Sequence, residues 1–463
     1  MIRFTGLVKE VFYTFIVYQV FISIGIGRSY VVFLFHQLDL PNSQIIINDE
    51  QKSRIASSIG ILSPLGCIFS GVLMDFCGRR LFFFVTFISQ IISWVMIALA
   101  RNYDMLLNGM IIQGINLGMG YIGSIYIPEI VLPSRRRAFL AILSISFNLG
   151  VTICNTLMYF VPWNIAAWIY ATYSLICMFS MLLLSESPVW LYTKGEKETA
   201  IQTLCSLRCS NVDTIQHEID DLEKSSHLKS KTSTFTGLLK NILGAWKPSL
   251  IAISLQALFQ MTGYMMLFGY TIAFFDQLRV PIDSSKFAVT YSMAGIIGSV
   301  CAPFFMQNMN RRTQMFSCAF VMAICIIVVG IYEGIFYNRS DKMYPYIVSL
   351  ALYVYALVGN AGVLPIVNSI GAEIYPSEVR GIMNGIFGMA WYISLSVILK
   401  LYPTLMNILD IRIILWYSAG FCVAIVLFGI FILPETKGKT LNQVQQQYFQ
   451  KNRKNFKNEN AEL

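Results

Sequence analysis

Apolar runs of roughly 20 residues, each long enough to cross ~30 Å of hydrocarbon, recur along the chain from Phe12 to Leu433 with short polar breaks between them. They fall near 12–35, 53–74, 82–100, 105–127, 138–160, 163–184, 249–274, 286–307, 314–337, 343–372, 380–402 and 411–433. The runs are continuously apolar, without the dyad alternation of a membrane β-strand, so they read as helices whose backbone bonds close within each segment. The first is too long for a cleaved leader and lacks a small-residue cleavage site, so it counts as the first span. An all-α integral membrane protein of twelve transmembrane helices is expected.

One polar break is long. It carries the densest charge in the chain and an amphipathic stretch through Leu204, Leu207, Ile215, Ile219 and Leu222. It divides the spans six and six. The expected organisation is a six-helix half over 1–185, a cytoplasmic linker with amphipathic helices over 186–248, a second six-helix half over 249–433 and a tail over 434–463.

The loops repeat at about half the chain length, the signature of a duplicated unit. Asp75-Phe-Cys-Gly-Arg79-Arg80 is echoed by Gln307-Asn-Met-Asn-Arg311-Arg312. Glu129 precedes Arg136 by the same interval that separates Glu373 from Arg380, and Glu186 after the sixth span is echoed by Glu435 after the twelfth. Simple anchoring of helix ends needs basic residues but no acidic partners. Acids recurring at fixed places beside the arginines point instead to paired networks that form in one state and open in another.

Composition agrees with a membrane chain: 463 residues, 56% hydrophobic and 13% charged, with a mean hydropathy of +0.61. Most of the 34 lysines and arginines lie in the N-terminal segment, the even-to-odd loops and the tail. Both termini are therefore expected in the cytoplasm, and the net charge of +9 reflects positive-inside bias, with no nucleic-acid partner. All ten cysteines fall in apolar spans or expected cytoplasmic segments and are read as free thiols. His36, His217 and His227 are scattered, so no metal site is expected. Asn338-Arg-Ser340 is an acceptor for N-glycosylation.

Two fragments mimic nucleotide motifs. Gly118-Met-Gly120-Tyr-Ile-Gly123 lies inside an apolar run with no preceding strand, which suits close helix packing, and Gly438-Lys439-Thr440 has Leu433 where a phosphate loop needs its first glycine. No nucleophile elbow, zinc-protease helix or catalytic histidine constellation is present in the sequence, so neither a cofactor nor enzymatic chemistry is expected.

Asp75-x-x-Gly78-Arg79-Arg80, Tyr126-x-x-Glu129, Glu186-Ser-Pro-x-Trp190-Leu191, Glu373 with Arg380-Gly381, and Pro434-Glu-Thr-Lys-Gly-Lys-Thr-Leu441 resemble, in order and position, the signatures of the sugar porters of the major facilitator superfamily. The insect trehalose-transporter-like branch is the nearest subgroup. The resemblance implies the major facilitator fold in a cell membrane, a monomer, and alternating access to a site between the halves. It also implies that Asp75, Arg79, Arg80, Glu129, Arg136 and Glu186 form one cytoplasmic gate cluster, and Arg311, Arg312, Glu373, Arg380 and Glu435 its partner. Arg136 and Arg380 are expected to set turnover through the inward and outward populations.

The resemblance also marks the sugar positions, and many of them are altered. The Gln-Gln-x-Ser-Gly-Ile-Asn run of helix 7 reads Phe259-Gln260-Met261-Thr262-Gly263-Tyr264-Met265; the helix 5 Gln is Ser144, the helix 8 Asn is Gly295 and the helix 10 Trp is Asn368. Gln260, Ser144, Asn148, Phe259, Met265, Asn360, Asn368 and Trp391 are the candidate substrate residues, with Gln260 the strongest. Trehalose, glucose or a related sugar or polyol is the expected substrate; a transporter-like nutrient sensor and a proton-coupled carrier of a less polar substrate are the alternatives. Facilitated diffusion is expected because no Asp or Glu occurs from Val11 to Phe35 and the helix 4 Arg position is Met110. Glu333, expected at the outer interface, and Arg28, expected to snorkel outward or to line an outer vestibule, are the odd charges within spans.

Overall fold

The computed structural model describes residues 2–435 apart from 42, 44, 121, 211–214, 217, 221, 222, 224–245, 337–343 and 376–379. Asn338 and the tail motif from Thr436 therefore lie outside the described residues, as does the side chain of Arg380. The described elements are all helical. Among the described residues, eleven helices are long and apolar enough to cross a membrane.

The first six spans are Ile2–Leu38, Asp49–Cys77, Arg79–Ala98, Tyr103–Met119 continued by Ile122–Ile130, Arg136–Phe160 and Trp163–Ser180. The eighth, ninth, eleventh and twelfth are Ser284–Asn308, Arg311–Phe336, Arg380–Ile408 and Ile411–Phe431. The tenth joins Tyr346–Val358 to Leu364–Ile374 through a π-helical turn, Gly359–Val363. Side-chain caps start several of them: Asn48 and Gln51 form a capping box on the second span, and Asn102, Asp283 and Asp410 accept from first-turn amides of the fourth, eighth and twelfth.

The seventh span departs from the continuous helix expected over 249–274. It is built of three pieces, Trp246–Met261, Tyr264–Gly269 and Thr271–Gln277. Gly263 takes a φ of 82°, a left-handed turn that a side chain would strain, and a Cβ there would stand 2.7 Å from Ser418 Oγ. The broken backbone is served locally: Tyr355 donates its hydroxyl to the Thr262 carbonyl at 3.0 Å. The hydropathy of the run gives no sign of such breaks.

Small residues let the spans of the first half touch backbone to backbone. A Cβ on Gly118 would stand 2.0 Å from the Ser63 carbonyl of the second span, and one on Gly150 2.0 Å from the Ile22 carbonyl of the first. Gly120 and Gly123, the rest of the false dinucleotide motif, meet Ile24 and Phe21 of the first span. Gly118→Ala is expected to lower the unfolding midpoint and the yield of monodisperse protein, since backbone must move to admit it. Gly71→Ala, on the same second span where nothing lies within 4 Å, is the control and should change neither.

The two halves meet through the second and eleventh spans and through the fifth and eighth. Ser53 donates to the Lys400 carbonyl at 3.0 Å and Gly60 abuts Ser396. Phe35 stacks on Tyr270 with centroids 6.0 Å apart, and His36 lies 3.2 Å from Ser285 Oγ. All of these lie toward the end opposite the arginine-rich loops.

Candidate functional site: a polar cavity and two charge clusters

At the middle of the interface, Asn148 of the fifth span directs its amide at Ser299 Oγ of the eighth (2.8 Å) and at Asn360 Oδ1 of the tenth (3.4 Å). The Asn360 amide in turn donates to the Tyr264 hydroxyl and, at 3.1 Å, to the Ala356 carbonyl. Gly295 makes room for this meeting: a Cβ there would stand 3.2 Å from Asn360 Nδ2 and 3.3 Å from Asn148 Oδ1. The missing side chain at 295 is thus replaced by two amides that converge across the halves. They line a cavity with Asn155, Tyr264, Phe268 and Tyr291 of about 10 Å³, room for a single water, so anything larger enters only if the halves part.

Other buried polar atoms near the middle of the spans have no partner among the described residues. Gln260 leaves both its amide oxygen and nitrogen unmatched, and Gln256 Oε1, Gln113 Nε2 and the Tyr291 hydroxyl are in the same condition. Buried polar groups are costly unless matched, so these are groups suited to a ligand's hydroxyls. Phe259 is fully buried against Tyr264 and stacks on Trp391 with centroids 6.1 Å apart, and Met265 is buried beside them in sequence. Ser144 contributes its carbonyl to Asn148 at 3.1 Å; its side chain does not line the cavity.

Asn368 is not brought to this site. It is exposed, although Asn360 two turns earlier is buried. Between the two lies the π-helical turn Gly359–Val363, and Asn368 falls on an exposed face of the helix that follows it.

The charge clusters are internal to each half. In the first, Arg79 grips Glu129 with two bonds, Nη2 to Oε1 at 2.8 Å and Nε to Oε2 at 3.0 Å, while its Nη1 stands 3.3 Å from Asp75 Oδ1. Glu186 accepts the backbone amides of Arg79 (2.8 Å) and Arg80 (3.2 Å), capping the third span at the positive end of its dipole. In the second half, Arg311 lies 3.2 Å from Glu373, and Glu435 accepts the amides of Arg311 (3.1 Å) and Arg312 (3.2 Å). Arg80 and Arg312 donate to the carbonyls of Leu182 and Ile430, again in parallel.

Arg136 does not join the first cluster. It is exposed, and its guanidinium donates to the Val131 carbonyl at 3.3 Å. The loop turns it from Glu129, and a different acid organises that corner. Glu10, 1% exposed, accepts from the Leu132 amide (3.2 Å), Arg135 (3.1 Å) and Arg208 (2.9 Å). The linker helix Lys197–Arg208 is thereby fastened to the start of the first span, and Lys9 adds a 2.8 Å bond to the Ser206 carbonyl. Sequence reading missed Glu10 because an acid just before an apolar run looks like ordinary interface.

Both odd charges in spans are buried. Glu333, near the Phe336 end of its span, is 1% exposed and enclosed by protein. Arg28, 4% exposed, neither snorkels nor lines an open vestibule; it lies over the Phe268 ring, 5.5 Å from the centroid.

The family model described as "Sugar (and other) transporter" matches residues 8–448. The chain is 25% identical over 401 residues to the facilitated trehalose transporter Tret1 of Drosophila mojavensis, covering 84% of this chain and 46% of that one. It is 26% identical over 411 residues to Tret1 of Bombyx mori, covering 87% and 80%. The chain spans about half the length of the first curated relatives it matches. Among solved structures, the inward-open xylose transporter XylE from E. coli superposes with a TM-score of 0.77 at 17% identity, covering 93% of this chain and 98% of that chain. The proton:xylose symporter XylE bound to 6-bromo-6-deoxy-D-glucose gives 0.77 at 18%, covering 96% and 100%. These neighbours share the twelve-helix major facilitator fold, and by the match over nearly its whole length the chain belongs to the sugar (and other) transporter family.

Proposed function

We propose that the protein carries a sugar or polyol across the cell membrane by facilitated diffusion, the two halves rocking about the cavity between them. The observation that carries this is the Asn148–Asn360 contact between halves, in a cavity lined by both. The relatives named as facilitated trehalose transporters support trehalose or glucose as the first substrates to try. The arginine-rich ends, with both termini, face the cytoplasm, and the monomer is the working unit. The charge clusters brace each half as it moves, and the contacts at Phe35, His36 and Ser53 close the other end.

The test is uptake and counterflow of labelled trehalose and glucose in proteoliposomes. Saturable uptake that equilibrates is expected. Saturable binding with no counterflow would replace transport by the sensor reading. Accumulation above equilibrium that collapses with a protonophore would overturn the uncoupled mechanism and make Glu333→Gln the first variant to examine. Gln260→Ala should weaken sugar binding by between about twofold and tenfold, the range that one net hydrogen bond supplies.

A further inference from the structure

Arg28 is a cation that the sugar-carrier reading does not use. It lies in the first span with no Asp or Glu from Val11 to Phe35. Among the described residues it has no ion pair, and its Nη2 is fully enclosed without a hydrogen-bond partner. A guanidinium has five donors and keeps its charge, so burying it without an acceptor is costly, and an ionisable group inside a span marks a pathway or a ligand. The ring of Phe268 beneath it satisfies none of the N–H donors.

Its position ties it to the cavity between the halves. Phe268 touches both, lying under the guanidinium and lining the cavity. The next residue, Ser29, donates to Asn155 Oδ1 at 2.6 Å, and Asn155 lines the same cavity. A Cβ on Gly269 would reach Nη2 at 3.7 Å, so the broken seventh span leaves the head group room on that side.

Resting on the transport reading, we propose that the preferred substrate is a sugar-sized molecule carrying one carboxylate, which Arg28 engages when Phe268 swings aside. A planar carboxylate matches the guanidinium fork with two parallel bonds. One buried cation balances one negative charge, whereas a phosphate dianion would leave a charge unmatched and a neutral sugar would leave the arginine as it is. Asn148, Asn155 and Asn360 of the cavity beyond Phe268 remain to receive hydroxyls.

The experiment compares D-glucuronate with D-glucose, which share a ring and differ by the carboxylate, and includes neutral D-glucuronamide. Counterflow and thermal shift are read on the full chain at constant ionic strength. Glucuronate is expected to be favoured at least tenfold over glucose and glucuronamide. In Arg28→Gln the glucuronate-to-glucose ratio should fall tenfold or more, and in Arg28→Lys by less. An unchanged ratio in Arg28→Gln, no preference over glucuronamide, or the same thermal shift with chloride alone would overturn the proposal. If Arg28→Gln does not fold, the wild-type comparison with glucuronamide decides. The two readings fail separately: glucose counterflow indifferent to glucuronate removes the carboxylate, while a glucuronate-specific thermal shift with no counterflow removes transport and leaves the site.

Discussion

Arg79→Ala is expected to destabilise the protein by ~3–5 kcal/mol, the cost of stranding a buried partner, and to reduce the folded protein recovered from membranes. The Arg79 side chain is 5% exposed and holds a Glu129 that is 12% exposed, so the alanine leaves a carboxylate with neither water nor a counter-charge. The equivalent pair in the second half is looser: Arg311 and Glu373 are 14% and 24% exposed, and the position matching Asp75 is the uncharged Gln307. Arg311→Ala should therefore cost clearly less. Adding Glu129→Gln to Arg79→Ala should restore part of the loss, because the stranded charge goes with it. Thermal unfolding in detergent of the three variants measures this; equal losses for Arg79→Ala and Arg311→Ala would refute the assignment.

The second large effect is expected at Glu10. Its carboxylate joins the first span, the loop at Leu132 and Arg135, and the linker helix at Arg208. Glu10→Ala should cost on the order of 3 kcal/mol and release that helix, since a buried arginine loses one of its acids. Arg208 keeps Glu218 at 2.9 Å, which limits the damage. Glu10→Gln, able still to accept from the Leu132 amide, should fall between. The readout is the rate of proteolytic cleavage within 197–208 relative to cleavage elsewhere. No acceleration in Glu10→Ala would show that the linker helix is held by Leu207, which packs into the main core, instead of by the ion pairs.

The span pattern was legible because lipid imposes it: a chain that must satisfy its backbone internally shows long apolar runs. The duplicated arginine corners were legible because charge at helix ends is sparse and spaced regularly. What escaped was set by tertiary geometry. Asn148 and Asn360 could be named as candidates, but their convergence over Gly295 depends on three spans at once. Asn368 was placed by its alignment with a family tryptophan, and an aligned position does not say whether the side chain is buried. Gly263 looked like one more small residue until its backbone proved left-handed. Glu10 and Arg208 are distant in sequence and meet only because the linker folds back on the first span. Arg136 was assigned to the first cluster by the family resemblance and the repeated Glu–Arg spacing, and neither says which way a loop turns its side chain.

The buried Arg28 also has an electrical consequence. A fixed positive charge deep in the first span lies within the field that a membrane potential places across the bilayer, and moving one charge through a full 100 mV is worth about 2.3 kcal/mol. In the proposed transport cycle, rocking of the empty protein that shifts Arg28 through part of that field does electrical work. Rocking with a monoanion seated on the guanidinium carries no net charge at that point and does almost none. Voltage then acts on one half of the cycle and not on the other, so a potential imposed across the vesicle changes the rate at which the empty carrier resets while leaving the loaded crossing nearly untouched.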